Sequence, residues 1–226
     1  MKKIFLIIDP FLSEPASDAI NLISRLHHEV QSEKNNFESY IEVYFPSKES
    51  RLLNFLDSVK DKEAEIIGVV SLGSYAHITD NLEWVHFLGN DLKEQIIEAG
   101  IPFFGICFSH QLFASIYGGN VSYIEDIDSL IEKKYNEFRE IQVIHPRLKS
   151  ILDGKQKFIS KALHAQEVKS VPEEFLEITA SSNNCKIEGL VHKKFPAYSV
   201  QSHPEKPHES LDGQLLIKNF IRIVVP

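Results

Sequence analysis

Cysteine is scarce in this 226-residue chain: there are two, Cys107 and Cys185, with neither a Cys-x-x-Cys spacing nor a pairing pattern. A disulfide framework is thereby excluded, and a reducing, cytoplasmic setting is the expectation. Long apolar runs are missing too. Lys2 and Lys3 precede an apolar stretch as in the start of a signal peptide, but Asp9 and Pro10 end it too early, and nothing approaches the ~20 apolar residues that span a bilayer. Basic clusters are also lacking. With 24 Lys+Arg against 32 Asp+Glu the formal charge is -8, and no basic run could neutralise phosphates, so neither nucleic acid nor an anionic membrane is an expected partner. The ten histidines include no His-Glu-x-x-His, and the His27-His28 pair has no third ligand in view, so no metal or other cofactor is expected.

What is present is an ordinary globular composition, 43% hydrophobic and 25% charged, and we expect one compact domain over residues 1–226. Apolar runs alternate with segments of helical period. Strands are predicted at Lys3 to Ile8, Tyr40 to Phe45 and Glu65 to Leu72, and helices at Ala16 to Val30 and Lys48 to Lys60. Asn81 to Ala99 has helical periodicity broken near Gly89-Asn90 and stopped by Gly100 and Pro102. Ile101 to Ile106 reads as a central buried strand, followed by a helix at Ser109 to Tyr117. A charged excursion from Ser122 to Ser150 holds a helical stretch near Asp128 to Tyr135 and a strand near Glu140 to Ile144. Short strands at Phe158 to Ser160, Phe175 to Ala180, Ile187 to His192 and Ala197 to Gln201 lead to a last helix, Leu211 to Ile223. The fold class is α/β, with a central, mostly parallel sheet flanked by helices.

Cys107 stands at the junction of the buried strand and the next helix, in Gly105-Ile106-Cys107-Phe108-Ser109-His110-Gln111. A sharp strand-to-helix turn lifts a nucleophile above the sheet, and the helix N-terminus favours a thiolate. The Phe108 N–H would then face an oxyanion. The loop after the preceding strand, Leu72-Gly73-Ser74-Tyr75, offers the Gly73 N–H as second donor. The alternative for Cys107 alone is a buried inert cysteine. Gln201-Ser202-His203-Pro204-Glu205 tips the balance, because residues i and i+2 of an extended chain face one side, so Glu205 can orient His203 while the other ring nitrogen serves the sulfur.

These two segments together resemble the paired signature of class I glutamine amidotransferases, with similarity to the stand-alone branch like the amidotransferase domain of GMP synthase. The resemblance extends over Leu72-Gly73-Ser74, Tyr117-Gly118-Gly119 and His164-Ala165-Gln166-Glu167-Val168. It implies a flavodoxin-like fold and hydrolysis of glutamine through a γ-glutamyl thioester on Cys107, completed by His203 and Glu205, with the backbone of Gly73 and Phe108 as oxyanion hole. It also implies that Gln111 helps hold the amino acid end of the substrate, with Ser74 and His164 beside it; His164 reads equally as a structural histidine. Ser109 stands where the family usually has glycine. His110 faces away from the nucleophile by helical spacing and reads as packing, and Cys185, without an elbow or base, as structural. Three functions stay open at this point: an amidotransferase feeding ammonia to a synthase polypeptide in trans, since these residues hold no Gly-x-x-x-x-Gly-Lys-[Ser/Thr] loop; a stand-alone hydrolase of γ-glutamyl peptides or amides; and a catalytically weakened glutamine-binding homologue.

Overall fold

The computed structural model describes residues 2–11, 39–49, 51–124, 135–206, 208–209 and 212–224. The expected Ala16 to Val30 helix and the His27-His28 pair lie outside these residues, as does the expected Asp128 to Tyr135 helix except for its last residue. The first half of the chain runs β1 (Lys2–Ile8), β2 (Ser39–Tyr44), α1 (Leu52–Asp61), β3 (Ala64–Ser71), a 3-10 turn (Ile78–Asp80), α2 (Glu83–Asp91), β4 (Phe103–Ile106) and α3 (Phe108–Ile116). The second half runs β5 (Asn120–Tyr123), β6 (Tyr135–Val143), α4 (Pro146–Ile151), β7 (Lys157–His164), β8 (Gln166–Ser170), β9 (Leu176–Ser181), β10 (Gly189–His192), β11 (Ala197–Val200) and α5 (Asp212–Val224).

Among the described residues nine strands form one sheet in the order β2-β1-β3-β4-β11-β10-β9-β6-β7, while β5 and β8 pair apart from it. The half from β2 to β11 is parallel. The other half is antiparallel. The division follows from connection length: β9, β10 and β11 are joined by loops too short for the crossover that a parallel neighbour needs.

The parallel strands read as continuous apolar runs because both of their faces are covered. Phe5 and Ile7 of β1, Val70 of β3, and Phe104 and Ile106 of β4 pack on the face that carries α4 and α5. Leu6, Ile8, Val69 and Phe103, their neighbours in sequence, pack on the opposite face against α1, α2 and α3. On the first face the Phe104 and Phe220 rings lie 5.4 Å apart, each fully buried. Truncating either ring to alanine would cost about 3–5 kcal/mol.

Two departures from the predicted elements have physical causes. The helix expected from Lys48 starts instead at Leu52, because Lys48 and Glu49 both donate their N–H to Phe45 O and close a turn there. The phase break seen near Gly89-Asn90 is a widening of the helix: α2 continues as a π-helix over Leu92–Ile97, in which Glu98 N–H reaches back five residues to Lys93 O. One extra residue in a turn rotates the apolar face, so Val85 and Leu88 before it and Ile96 and Ile97 after it all reach the core. Among the described residues no helix is long and apolar enough to cross a membrane.

Candidate active site

Cys107 follows β4, which lies between β3 and β11 in the parallel half of the sheet. Its backbone, at φ 53° and ψ -104°, is in a region that L-residues avoid, a strain of about 1–3 kcal/mol. Three hydrogen bonds hold it there: Cys107 N–H donates to Val200 O at 2.9 Å, and Cys107 O accepts from the N–H groups of His110 and Gln111, both at 3.0 Å. The turn is tight enough to need glycine two residues earlier. A methyl group at Gly105 would stand 3.0 Å from Ser109 O and 3.1 Å from the Phe103 ring. The strand-to-helix elbow foreseen in the sequence is therefore built as expected, with Phe108 as the first residue of α3.

His203 lies beyond the end of β11 and is fixed from the other half of the sheet, since its N–H donates to Lys161 O of β7 at 2.7 Å. Its Nδ1 is 2.6 Å from Glu205 Oε1, and its Nε2 is 3.3 Å from the main-chain oxygen of Leu163. Cys107 Sγ lies 3.6 Å from that same oxygen. A carbonyl only accepts and a carboxylate only accepts, so this arrangement suits a ring protonated on both nitrogens. Burial disfavours the imidazolium, yet the Glu205 carboxylate and the Cys107 sulfur outweigh it and hold His203 well above the ordinary 6.5.

Gly73 closes the site from the β3 side. A Cβ there would lie 2.9 Å from His203 Cε1 and 3.5 Å from Cys107 Cβ, so only glycine lets the loop come this near. Among the described residues neither Gly73 N–H nor Phe108 N–H meets an acceptor. Ser74 borders the site, but its hydroxyl donates to Pro10 O at 2.7 Å and accepts from Ala76 N–H at 3.0 Å, which makes it an anchor of the loop.

Cys107 lines two cavities. The larger, about 230 Å³, is lined by Ser74, Tyr75, Phe108, Gln111 and His164 among others. The Gln111 amide nitrogen donates to Gln166 O at 2.7 Å and to Gln201 Oε1 at 3.2 Å, which fixes the side chain in the wall. His164 bonds Gln166 O through Nδ1 at 2.9 Å; burial, only partly offset by that bond, brings its pKa down to about 3 and leaves the ring neutral. The smaller cavity, about 70 Å³, lies on the His203 side and is lined by Asp9, Phe11, Gly73, Tyr75, Glu205 and Lys206.

The structure thus brings together Cys107, His203, Glu205, Gly73, Phe108, Ser74, Gln111 and His164, the residues expected to form the site. It places His110 and Cys185 elsewhere. His110 is fully buried between Ser199 Oγ at 2.9 Å and Ile187 O at 3.2 Å, and burial brings its pKa down to about 3. Cys185 is buried beside Ile187 O, and burial pushes its thiol up. Sequence reasoning missed Leu163, whose backbone oxygen lies at the site, and also Asp9 and Lys206. Asp9 carried a signal, since a carboxylate right after an apolar parallel strand sits at the edge where ligands bind in such sheets.

The family model described as glutamine amidotransferase class-I matches residues 87–223. Among curated proteins, the chain is 37% identical over 127 residues to a glutamine-hydrolyzing GMP synthase subunit of Methanocaldococcus jannaschii, covering 56% of this chain and 62% of that protein. The protein of the same description from Pyrococcus abyssi is 34% identical over 133 residues, covering 58% and 65%. The chain therefore spans less than two thirds of the length of these relatives. In fold it is similar to a glutamine amidotransferase of Thermotoga maritima, with a TM-score of 0.68 at 15% identity over 99% of this chain and 98% of the other. The glutaminase domain of a CTPS from Trypanosoma brucei gives a TM-score of 0.73 at 13% identity over 99% of this chain and 94% of the other.

Proposed function

Because the chain belongs to the class-I glutamine amidotransferase family, we propose that it hydrolyses the side-chain amide of glutamine through a thioester on Cys107, yielding glutamate and ammonia. One observation carries this reading: the His203 ring is held by Glu205 at 2.6 Å on one nitrogen while the other nitrogen and the Cys107 sulfur share the Leu163 oxygen. In that geometry the sulfur adds to the amide carbon, and the carbonyl oxygen takes up the electron pair opposite the Gly73 and Phe108 N–H groups. His203 gives its Nε2 proton to the amide nitrogen, the C–N bond breaks and ammonia leaves. The same nitrogen then takes a proton from water, which attacks the thioester, and glutamate departs as the thiol is restored.

Gln111 and His164 line the larger cavity, where they would receive the amino acid end of the substrate. The site draws on residues from Asp9 to Lys206, which supports treating residues 1–226 as one domain. The relatives are subunits of glutamine-hydrolyzing GMP synthases, so we infer that the ammonia passes to a synthase polypeptide in trans. A second reading, hydrolysis of γ-glutamyl amides or peptides, is favoured by the cavity on the His203 side, which leaves room for a leaving group larger than ammonia.

Ammonia release from glutamine, with amine release from a panel of γ-glutamyl amides and peptides, tests these readings in wild type and Cys107→Ala. Turnover of glutamine lost in the variant supports the first reading. Preference for the larger amides supports the second, and wild-type silence on every substrate, with and without a synthase polypeptide, overturns both.

A further inference from the structure

The residue that departs from the family's glycine has a defined place in this site. Ser109 is fully buried in the first turn of α3, and its Oγ lies 2.7 Å from Leu72 O and 2.7 Å from Ser71 Oγ. The directions of these bonds follow from the groups. Leu72 O can only accept, so the single Ser109 hydroxyl proton goes to it, and Ser71 must then be the donor to Ser109. A chain of hydrogen bonds, Ser71 to Ser109 to Leu72 O, thus ties the end of β3 to the elbow helix within a layer closed to water, where such bonds are strongest.

Leu72 C=O and Gly73 N–H belong to one peptide unit, planar and trans, so the two groups point in opposite directions. Fixing the carbonyl on Ser109, in the buried layer, turns the Gly73 N–H the other way, toward the cavity that Leu72, Gly73 and Cys107 line. The residues on either side are fixed as well: Leu72 N–H donates to Ile8 O at 2.9 Å and the Ser74 hydroxyl to Pro10 O at 2.7 Å. The peptide between them would otherwise be free to rotate, because a glycine on its C-terminal side imposes little of its own.

We propose that Ser109 is a positioning residue for the oxyanion site: by holding Leu72 C=O it sets the orientation of the Gly73 N–H, with Ser71 acting only through Ser109. This rests on the reading of Cys107 as the nucleophile of glutamine hydrolysis. An oxyanion donor misaligned by a fraction of an ångström loses most of its effect, and removal of one such donor costs about 10²–10³ in kcat, so loss of the alignment alone is expected to cost about 10-fold to 100-fold.

The test compares wild type with Ser109→Ala, Ser71→Ala and the double variant. We expect Ser109→Ala to lower kcat for glutamine by about 10-fold to 100-fold with KM within about threefold, the pattern of an interaction made only in the transition state. Binding of the γ-aldehyde analogue of glutamate, to which the thiol adds with the aldehyde oxygen becoming the oxyanion, should weaken by a similar factor. Alkylation of Cys107 by iodoacetamide, which forms no oxyanion, should keep its wild-type rate. Ser71→Ala should show a smaller loss, and the double variant should be no worse than Ser109→Ala. In protein labelled with [15N]glycine, the Gly73 amide should shift and exchange faster in Ser109→Ala while Gly119 does not change. An unchanged kcat with an unmoved Gly73 amide overturns the proposal, as does a fall in kcat matched by equal slowing of alkylation. If wild type itself fails to hydrolyse glutamine, the functional reading fails, and the Gly73 amide alone decides whether the serine holds the peptide.

Discussion

Gly73 and His203 stand so close that a methyl group on the glycine would come within 2.9 Å of His203 Cε1. The imidazole cannot yield freely, since its Nδ1 is held by Glu205 and its backbone by Lys161 O. Gly73→Ala is therefore expected to displace the ring and lower kcat on the order of 10²-fold, the cost of about 1 Å of misplacement at a reacting group. Steady-state rates beside far-UV circular dichroism check this: a fall in rate without loss of secondary structure is the expected pair of results.

Glu205→Gln removes the carboxylate that, with the Cys107 sulfur, holds His203 above the ordinary 6.5, and leaves burial opposed by the sulfur alone. The His203 titration midpoint, read by NMR of the ring protons, should move down. On the proposed mechanism the rate should fall on the order of 10²- to 10⁴-fold, as for loss of the orienting carboxylate in a Ser-His-Asp triad. A midpoint that stays high in the variant would assign the effect to Cys107 instead.

Stability should decline on both sides of neutrality, for opposite reasons. His110 and His164 have folded values of about 3, so between pH 6.5 and 3 the unfolded chain takes up protons that the folded chain refuses. Stability is then lost as pH falls through that window, by about 1.4 kcal/mol per pH unit for each histidine. His203, with a raised folded value, contributes stability that is complete below 6.5 and is lost as pH rises through its folded value. Urea unfolding midpoints at pH 5, 6, 7 and 8 should pass through a maximum, and His164→Asn should flatten the acid side.

Gln111→Ala empties part of the larger cavity's wall and releases Gln166 O and Gln201 Oε1 from their shared donor. On the proposal that Gln111 holds bound substrate, KM for glutamine should rise by about tenfold or more with a smaller change in kcat. An unchanged KM would leave Gln111 a purely structural role.

The parts of the molecule legible in the sequence are those where one physical demand acts alone. β1, β3 and β4 are buried on both faces, so their apolar runs could be read directly, and the elbow after β4 requires a small residue at Gly105 whatever the rest of the fold does. The pair His203 and Glu205 was legible because both act through side chains two residues apart. β5 and β8 were not, because Asn120–Tyr123 and Gln166–Ser170 are short, polar and half-covered, and gain their strand form only by pairing with each other. The antiparallel half of the sheet hides its length in a similar way: β7 alternates between buried and half-exposed positions, and the sequence shows a strand only at Phe158 to Ser160, where two apolar residues adjoin. In the sequence Ser109 stands out only as a serine where the family it resembles usually has glycine, and its partners Ser71 and Leu72 emerge only once β3 and α3 are set side by side.

The Leu163 oxygen is a part of this site that no amino-acid exchange can delete. It lies beside both Sγ of Cys107 and Nε2 of His203, and any residue at position 163 would present the same carbonyl. Variation among homologues at that position should consequently reveal little of its importance, since side chains there are free to drift. Loss or gain of a single residue within β7 is another matter. It would carry the carbonyl about 3.3 Å along the strand and turn its neighbour's the opposite way, so this stretch should tolerate substitution widely and reject changes in length.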